Sequence, residues 1–116
     1  MASLTRLLAL TLLIAGCDEK DDESVACETM PWTYENTGQI FLMNWCTSCH
    51  HSEIPADQRY EGSENVNLDT YDSFIANLDI VEIVALSESP TMPEAGGPTT
   101  TELEQMREWV ACGAPQ

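Results

Sequence analysis

The chain has 116 residues, with 20 Asp and Glu against 4 Lys and Arg, giving a formal charge of -16 at pH 7. That length makes one domain at most, with no room for a separate substrate domain, and an acidic chain without a basic cluster excludes nucleic acid, whose phosphates it would repel. A hydrophobic share of 43% is ordinary for a globular chain, so the charge does not mean disorder, while five cysteines in so few residues call for an explanation.

The first seventeen residues carry one basic residue, Arg6, then an apolar stretch over 7–15 interrupted only by Thr11. Such a stretch is too short to cross a hydrocarbon core, which takes about 20 residues in a helix. It reads as the apolar region of an export signal. It ends in Leu13-Ile14-Ala15-Gly16-Cys17, which resembles a bacterial lipobox. The likeness implies cleavage before Cys17, acylation of that cysteine, and a domain lipid-anchored to a membrane and facing the periplasm. An ordinary secretory cleavage nearby, with Cys17 a plain thiol, is the alternative. Asp18-Glu19-Lys20-Asp21-Asp22-Glu23-Ser24 has no apolar residue to bury and reads as a solvated tether. Residues 1–16 are thus the expected signal peptide, 17–35 an acidic tether and extension, and 36–116 the domain.

Met30-Pro31-Trp32-Thr33-Tyr34 is expected to be extended or loop, with a helix starting at Asn36 or Thr37, both acceptable N-caps. The helix leads into Cys46-Thr47-Ser48-Cys49-His50, a Cys-x-x-Cys-His, the attachment pattern for c-type haem. Thiols at i and i+3 meet the two vinyl groups on one porphyrin edge, and the next residue's imidazole reaches the iron from the same side. Cys46 and Cys49 are therefore the expected thioether anchors of one haem c, and His50 the proximal iron ligand. An exported chain agrees with this, because covalent haem attachment takes place outside the cytoplasm. Two alternatives stand beside it. Cys46, Cys49, His50 and His51 could bind zinc, although only Cys112 lies downstream to complete the site. A dithiol redox pair would need strands in a βαβ context, which the sequence does not offer.

From residue 52 to 67 the chain is polar, with Pro55 and Gly62, and reads as a surface loop. Leu68, Tyr71, Phe74, Ile75 and Leu78 recur at three- and four-residue steps, predicting an amphipathic helix over 68–78. Residues 79–86 continue with Ile80, Val81, Ile83, Val84 and Leu86, a second helix or kinked continuation, with a short strand as the runner-up. The last helix opens on a capping box, Thr101-Glu102-Leu103-Glu104, presents Leu103, Met106, Trp109 and Val110 on its apolar face, and ends with Gly113 at C′.

These features resemble a class I-type cytochrome c, in the small lipid-anchored monohaem form of some Gram-negative bacteria. Gly38 and Leu42 before Cys46 resemble the family's first helix, where the glycine allows close crossing by the last helix, and Ile40, Phe41 and Trp45 add apolar surface. Ser89-Pro90-Thr91-Met92-Pro93-Glu94-Ala95-Gly96-Gly97-Pro98 is similar to the loop that presents the sixth iron ligand. Glu108-Trp109-Val110-Ala111-Cys112-Gly113-Ala114-Pro115 resembles the final helix and its ending, so the likeness spans residues 36–115.

The resemblance implies an all-α fold wrapped around one covalently attached haem, with Met92 as distal ligand. Pro90 and Pro93 restrict the loop around Met92. Of its competitors, Met30 lies outside the haem-proximal segment, while Met43 and Met106 are expected in the core. His51 is expected to face solvent or a haem propionate. The crossing of first and last helices in the resembled fold implies a Cys27–Cys112 disulfide, which an oxidising compartment would preserve. The implied function is one-electron transfer, with no catalytic residue, no small-molecule substrate, and a basic redox partner steered by the acidic surface. A small-ligand sensor, with Met92 off the iron, and a non-haem lipoprotein with a structural metal remain as alternatives.

Overall fold

The computed structural model describes residues 26–59 and 64–116. The expected signal peptide, the lipidation site Cys17 and the acidic run after it lie outside the described residues, as does Gly62. Among the described residues the regular structure is helical, with no strand. A short turn over Cys27–Thr29 precedes a wide helical turn, Tyr34–Gly38, which runs directly into α1, Gln39–Trp45. Another short turn, Ala56–Gln58, interrupts the following loop. Helices α2, Tyr71–Ala76, α3, Leu78–Val84, and α4, Thr100–Ala111, complete the fold.

Helix starts are set by reciprocal caps, and these shift the boundaries from the expected ones. The first helical stretch begins after Thr33, not at Asn36 or Thr37. The Thr33 hydroxyl accepts from the Asn36 amide at 3.2 Å, and the Asn36 side chain accepts from the Thr33 amide at 2.7 Å. Asn36 is thus the third residue of the box, and Thr37 is buried. Likewise α2 starts after Thr70, paired with Ser73, so Leu68 lies ahead of the helix although it is buried. The box on α4 belongs to Thr99, not Thr101: Glu102 accepts from the Thr99 amide at 2.8 Å and hydroxyl at 2.9 Å, and its own amide donates to that hydroxyl at 3.2 Å. Three residues separate Thr99 from Glu102, the spacing the motif needs.

The segment after α2 is helix rather than strand. Asn77 (φ -111°, ψ 10°) breaks the path between α2 and α3, and its side-chain Nδ2 donates to the Ser73 carbonyl at 2.8 Å and the Asn67 carbonyl at 3.3 Å. At the far end, Gly113 adopts φ +86° and closes α4, as the sequence suggests.

The core gathers Trp109, Phe74, Leu42 and Met106, all fully buried. Phe74 stacks on Trp109 at 5.4 Å, and Tyr34 meets Tyr71 edge-on at 5.2 Å. The Ala114-Pro115 segment is strapped over this cluster: the Trp109 indole and the Tyr34 amide donate to the Pro115 carbonyl, and the Tyr71 hydroxyl donates to that of Ala114. Arg107 ties α4 to the end of α3, donating to the Leu86 and Ser87 carbonyls, each at 2.6 Å.

Gly38 and Trp109 meet where the first helical stretch crosses α4. A Cβ on Gly38 would lie 2.5 Å from Trp109 Cη2, so the glycine permits the close crossing that the resemblance implies. Gly38→Ala is expected to cost about 1–3 kcal/mol by overpacking a rigid indole, read as a lower midpoint in chemical denaturation; an unchanged midpoint would contradict the crossing.

One expectation about the core needs correction. Met106 is fully buried as expected, but Met43 is 64% exposed. At 100° per residue, Phe41, Leu42 and Trp45 share the stripe of α1 facing the core, and Met43 falls off it toward the Cys46 side. Ile40, Ile75, Ile80 and Ile83 are exposed too.

Candidate cofactor-attachment site

The last turn of α1 ends at Cys46, whose amide and that of Thr47 both donate to the Leu42 carbonyl, at 2.8 and 2.9 Å. One further turn follows: the amides of Cys49 and His50 donate to the Cys46 carbonyl at 3.1 and 2.9 Å. Cys46, Cys49 and His50 thus project from a single turn, each half-buried. Neither cysteine is disulfide-bonded, and burial pushes the Cys46 thiol up to about 12.

His50 is held from behind. Its Nδ1 lies 3.2 Å from the Val66 carbonyl oxygen. A carbonyl only accepts, so this pairing calls for the proton on Nδ1 and leaves the Nε2 lone pair for a metal, the arrangement that orients ligating histidines generally. The His50 carbonyl in turn accepts from the Leu68 amide at 2.8 Å.

The loop carrying Val66 is braced by Arg59. Its guanidinium donates to the carbonyls of Ile54 at 2.8 Å and Glu64 at 3.0 Å, to the Asn67 side chain at 2.9 Å, and to the His51 carbonyl. Asp69 adds a second clasp, accepting from the Ser52 amide at 3.0 Å and hydroxyl at 2.7 Å. Burial pushes the Asp69 carboxyl up, but these bonds, its own amide and nearby His51 outweigh that and hold it below its ordinary range. The His51 side chain, 36% exposed, has its Nδ1 3.9 Å from Asp69, where it accepts from the Glu53 amide at 3.2 Å.

The Met92 segment is fixed at two points. The amides of Thr91 and Met92 both donate to the Val84 carbonyl at the end of α3, at 2.8 and 2.9 Å. Farther along, a Cβ on Gly97 would lie 2.2 Å from Trp45 Cζ3, so the backbone there sits against the indole of the residue preceding Cys46. Trp45 Nε1 donates to Glu102 at 3.2 Å. Met92 and Cys46 are both half-buried against the same core cluster. Cys27 and Cys112 are joined, with S–S 2.05 Å and Cα–Cα 5.4 Å, where Trp32 Nε1 also donates to Glu108 at 2.8 Å.

A cavity of about 60 Å³ lies between the first helical stretch and α4, lined by residues including Thr37, Ile40, Glu102 and Met106. It has room for little more than water and is lined by none of the motif residues. Among the described residues no three His, Cys, Asp or Glu side chains converge as a metal-binding group, so the zinc alternative finds no ligand set there.

Three contributors were not read from the sequence. The Val66 carbonyl is backbone and leaves no trace in residue type. Arg59 left a usable signal, as a lone cation in a polar stretch of an acidic chain. Trp45 was read only as apolar surface, whereas it joins the motif to the Met92 segment and to α4.

Glu102 offers a pH test. The Thr99 amide, the Thr99 hydroxyl and the Trp45 indole all donate to it and hold its carboxyl below the ordinary glutamate range. A depressed carboxylate contributes stability that is present above the unfolded value, about 4.3, and lost as pH falls through the lower folded value. Wild type is therefore expected to unfold at a higher temperature than Glu102→Gln at neutral pH, the gap closing as the pH is taken below about 4.3; a pH-independent gap would contradict the assignment.

Searches against family models, curated proteins and solved structures find no match to the chain.

Proposed function

We propose that the protein is a one-electron carrier whose helices wrap one covalently bound c-type haem. Cys46 and Cys49 are the thioether anchors, His50 the proximal ligand and Met92 the distal one, and the domain is exported and held to a membrane by lipid on Cys17. The observation that carries this reading is the single turn bearing two unbonded thiols and a histidine whose Nδ1 faces a backbone carbonyl. That donor set fits a c-type haem: two thiols at i and i+3, then an imidazole with Nε2 free.

When bound, the haem iron supplies a one-electron couple, which a methionine ligand raises in potential relative to two nitrogens. The chain's own part is to bind and orient. The Val66 carbonyl fixes the imidazole ring, Arg59 keeps the Val66 loop in place, and the Val84 carbonyl fixes the backbone at Met92. Met43 stands exposed on the Cys46 side of α1, apolar surface that a ring attached there would cover. Haem would also add a large apolar disc to a core that is marginal at this chain length.

The dithiol alternative is disfavoured by the fold, because among the described residues there is no strand to supply the βαβ context such a pair would need. The acidic surface supports a basic partner. The formal charge of -16 is what remains after all four Lys and Arg are counted against the 20 Asp and Glu. Such a field accelerates encounter more than it tightens the complex.

Voltammetry of the purified protein is expected to show one reversible one-electron wave, and its electron-transfer rate with a basic redox protein should fall as ionic strength rises. Absence of the wave would contradict the carrier, and a salt-independent rate would contradict the steering.

A further inference from the structure

We infer that Trp45 is a positioning residue for the Met92 segment, its indole serving as the platform that keeps the segment from swinging away. This rests on the reading of Met92 as distal ligand. Trp45 is the last residue of α1, and the next two amides are bonded to the Leu42 carbonyl, so its backbone belongs to the same rigid turn as Cys46. Its ring reaches out of that turn to two places. One is Gly97, where an added Cβ would lie 2.2 Å from Cζ3, so that only a residue without a side chain fits against the ring. The other is Glu102, whose carboxylate accepts the indole N–H at 3.2 Å while the Thr99 amide and hydroxyl hold it in place. The orientation of the ring is thus set by the start of α4, and the ring in turn supports the stretch between Met92 and α4.

With Thr91 and Met92 bonded to the Val84 carbonyl at one end and Gly97 seated on Trp45 at the other, few residues around Met92 are free to move. A segment restricted in this way loses less conformational entropy when a weak iron–sulfur bond forms. Removing the platform should therefore favour the open segment and raise the apparent affinity of any external ligand that competes with Met92.

Trp32 supplies a matched comparison. It also donates its indole N–H to a glutamate of α4, Glu108, at 2.8 Å, but beside the disulfide-bonded Cys112 end of that helix. Both Trp→Phe variants lose one indole–carboxylate bond, so a purely structural role would affect them alike.

The test uses haem-loaded ferric protein titrated with imidazole, together with the long-wavelength methionine–iron absorption band. Trp45→Phe is expected to bind imidazole about tenfold more tightly than wild type with a weakened band, and Trp32→Phe within about twofold of wild type. Gly97→Ala, which places a methyl against the ring and strains a backbone at φ +139°, is expected to shift in the same direction as Trp45→Phe and by more than Gly96→Ala, which strains a backbone at φ +69° with nothing within 4 Å; the pair provides the test should Trp45→Phe not fold, equal shifts in the two overturning the inference. Equal imidazole affinities for Trp45→Phe and Trp32→Phe, or a wild-type affinity in Gly97→Ala, overturn the inference while the band in wild type preserves the Met92 reading. A wild-type protein with covalent haem but no such band overturns both.

Discussion

Met92→Ala is expected to keep its covalent haem, lose the long-wavelength methionine–iron band entirely, and drop in reduction potential by on the order of 0.1 V or more, within the range of about 0.8 V that axial ligands set. A soft thioether favours the reduced iron, and its replacement by water or a nitrogen removes that preference. The structural grounds are specific to this methionine. Met43 is exposed on the Cys46 side of α1 and Met106 is sealed in the core, whereas Met92 lies on a non-helical segment anchored to the Val84 carbonyl. Met30, also half-buried, is the remaining competitor, and Met30→Ala should leave both band and potential unchanged. A band that survives in Met92→Ala would remove the ligand assignment. A wild-type protein without the band that binds CO or NO readily would instead favour the sensor.

The largest loss of folding stability is expected from the double substitution Cys27→Ser and Cys112→Ser. The bridge closes a loop with a sequence separation of 85, for which the chain-entropy model gives about 4–5 kcal/mol. That is much of the roughly 5–15 kcal/mol by which small domains are stable. The bridge also joins the start of the described chain to the end of α4, next to the Trp32–Glu108 bond and the Ala114-Pro115 strap, so its removal frees several contacts together. Denaturant titration of the haem-loaded variant should show a correspondingly lower midpoint. A change under about 1 kcal/mol would mean that the strap and the aromatic cluster hold α4 without it.

What the sequence disclosed follows the range over which each signal acts. The grouping of Cys46, Cys49 and His50 on one turn was legible because the residues are nearly consecutive, and a turn places i, i+3 and i+4 together whatever surrounds it. The buried face of α4 was legible for the same reason. Helix starts were displaced because several hydroxyl and amide side chains competed for each cap: Asn36 satisfies the Thr33 amide and so becomes the third residue rather than the first. The displaced box on α4 has the same origin, since three consecutive threonines precede Glu102 and only Thr99 has the right spacing. Met43 was misplaced because apolar character alone does not fix the angle of a core stripe. The contacts that connect the two halves of the candidate site, Gly97 with Trp45 and Val66 with His50, depend on a missing side chain and a backbone carbonyl, and neither announces its partner in sequence.

Covalent haem at Cys46 and Cys49 would show itself in the pyridine haemochrome spectrum. Protein produced with the haem-attachment machinery and extracted with acidified organic solvent should retain one haem per chain, with the spectrum of a porphyrin whose two vinyl groups are both converted to thioethers. The variant Cys46→Ala with Cys49→Ala should retain none. Wild-type protein that yields no haemochrome, or whose haem is removed by the solvent, would contradict covalent attachment at these cysteines.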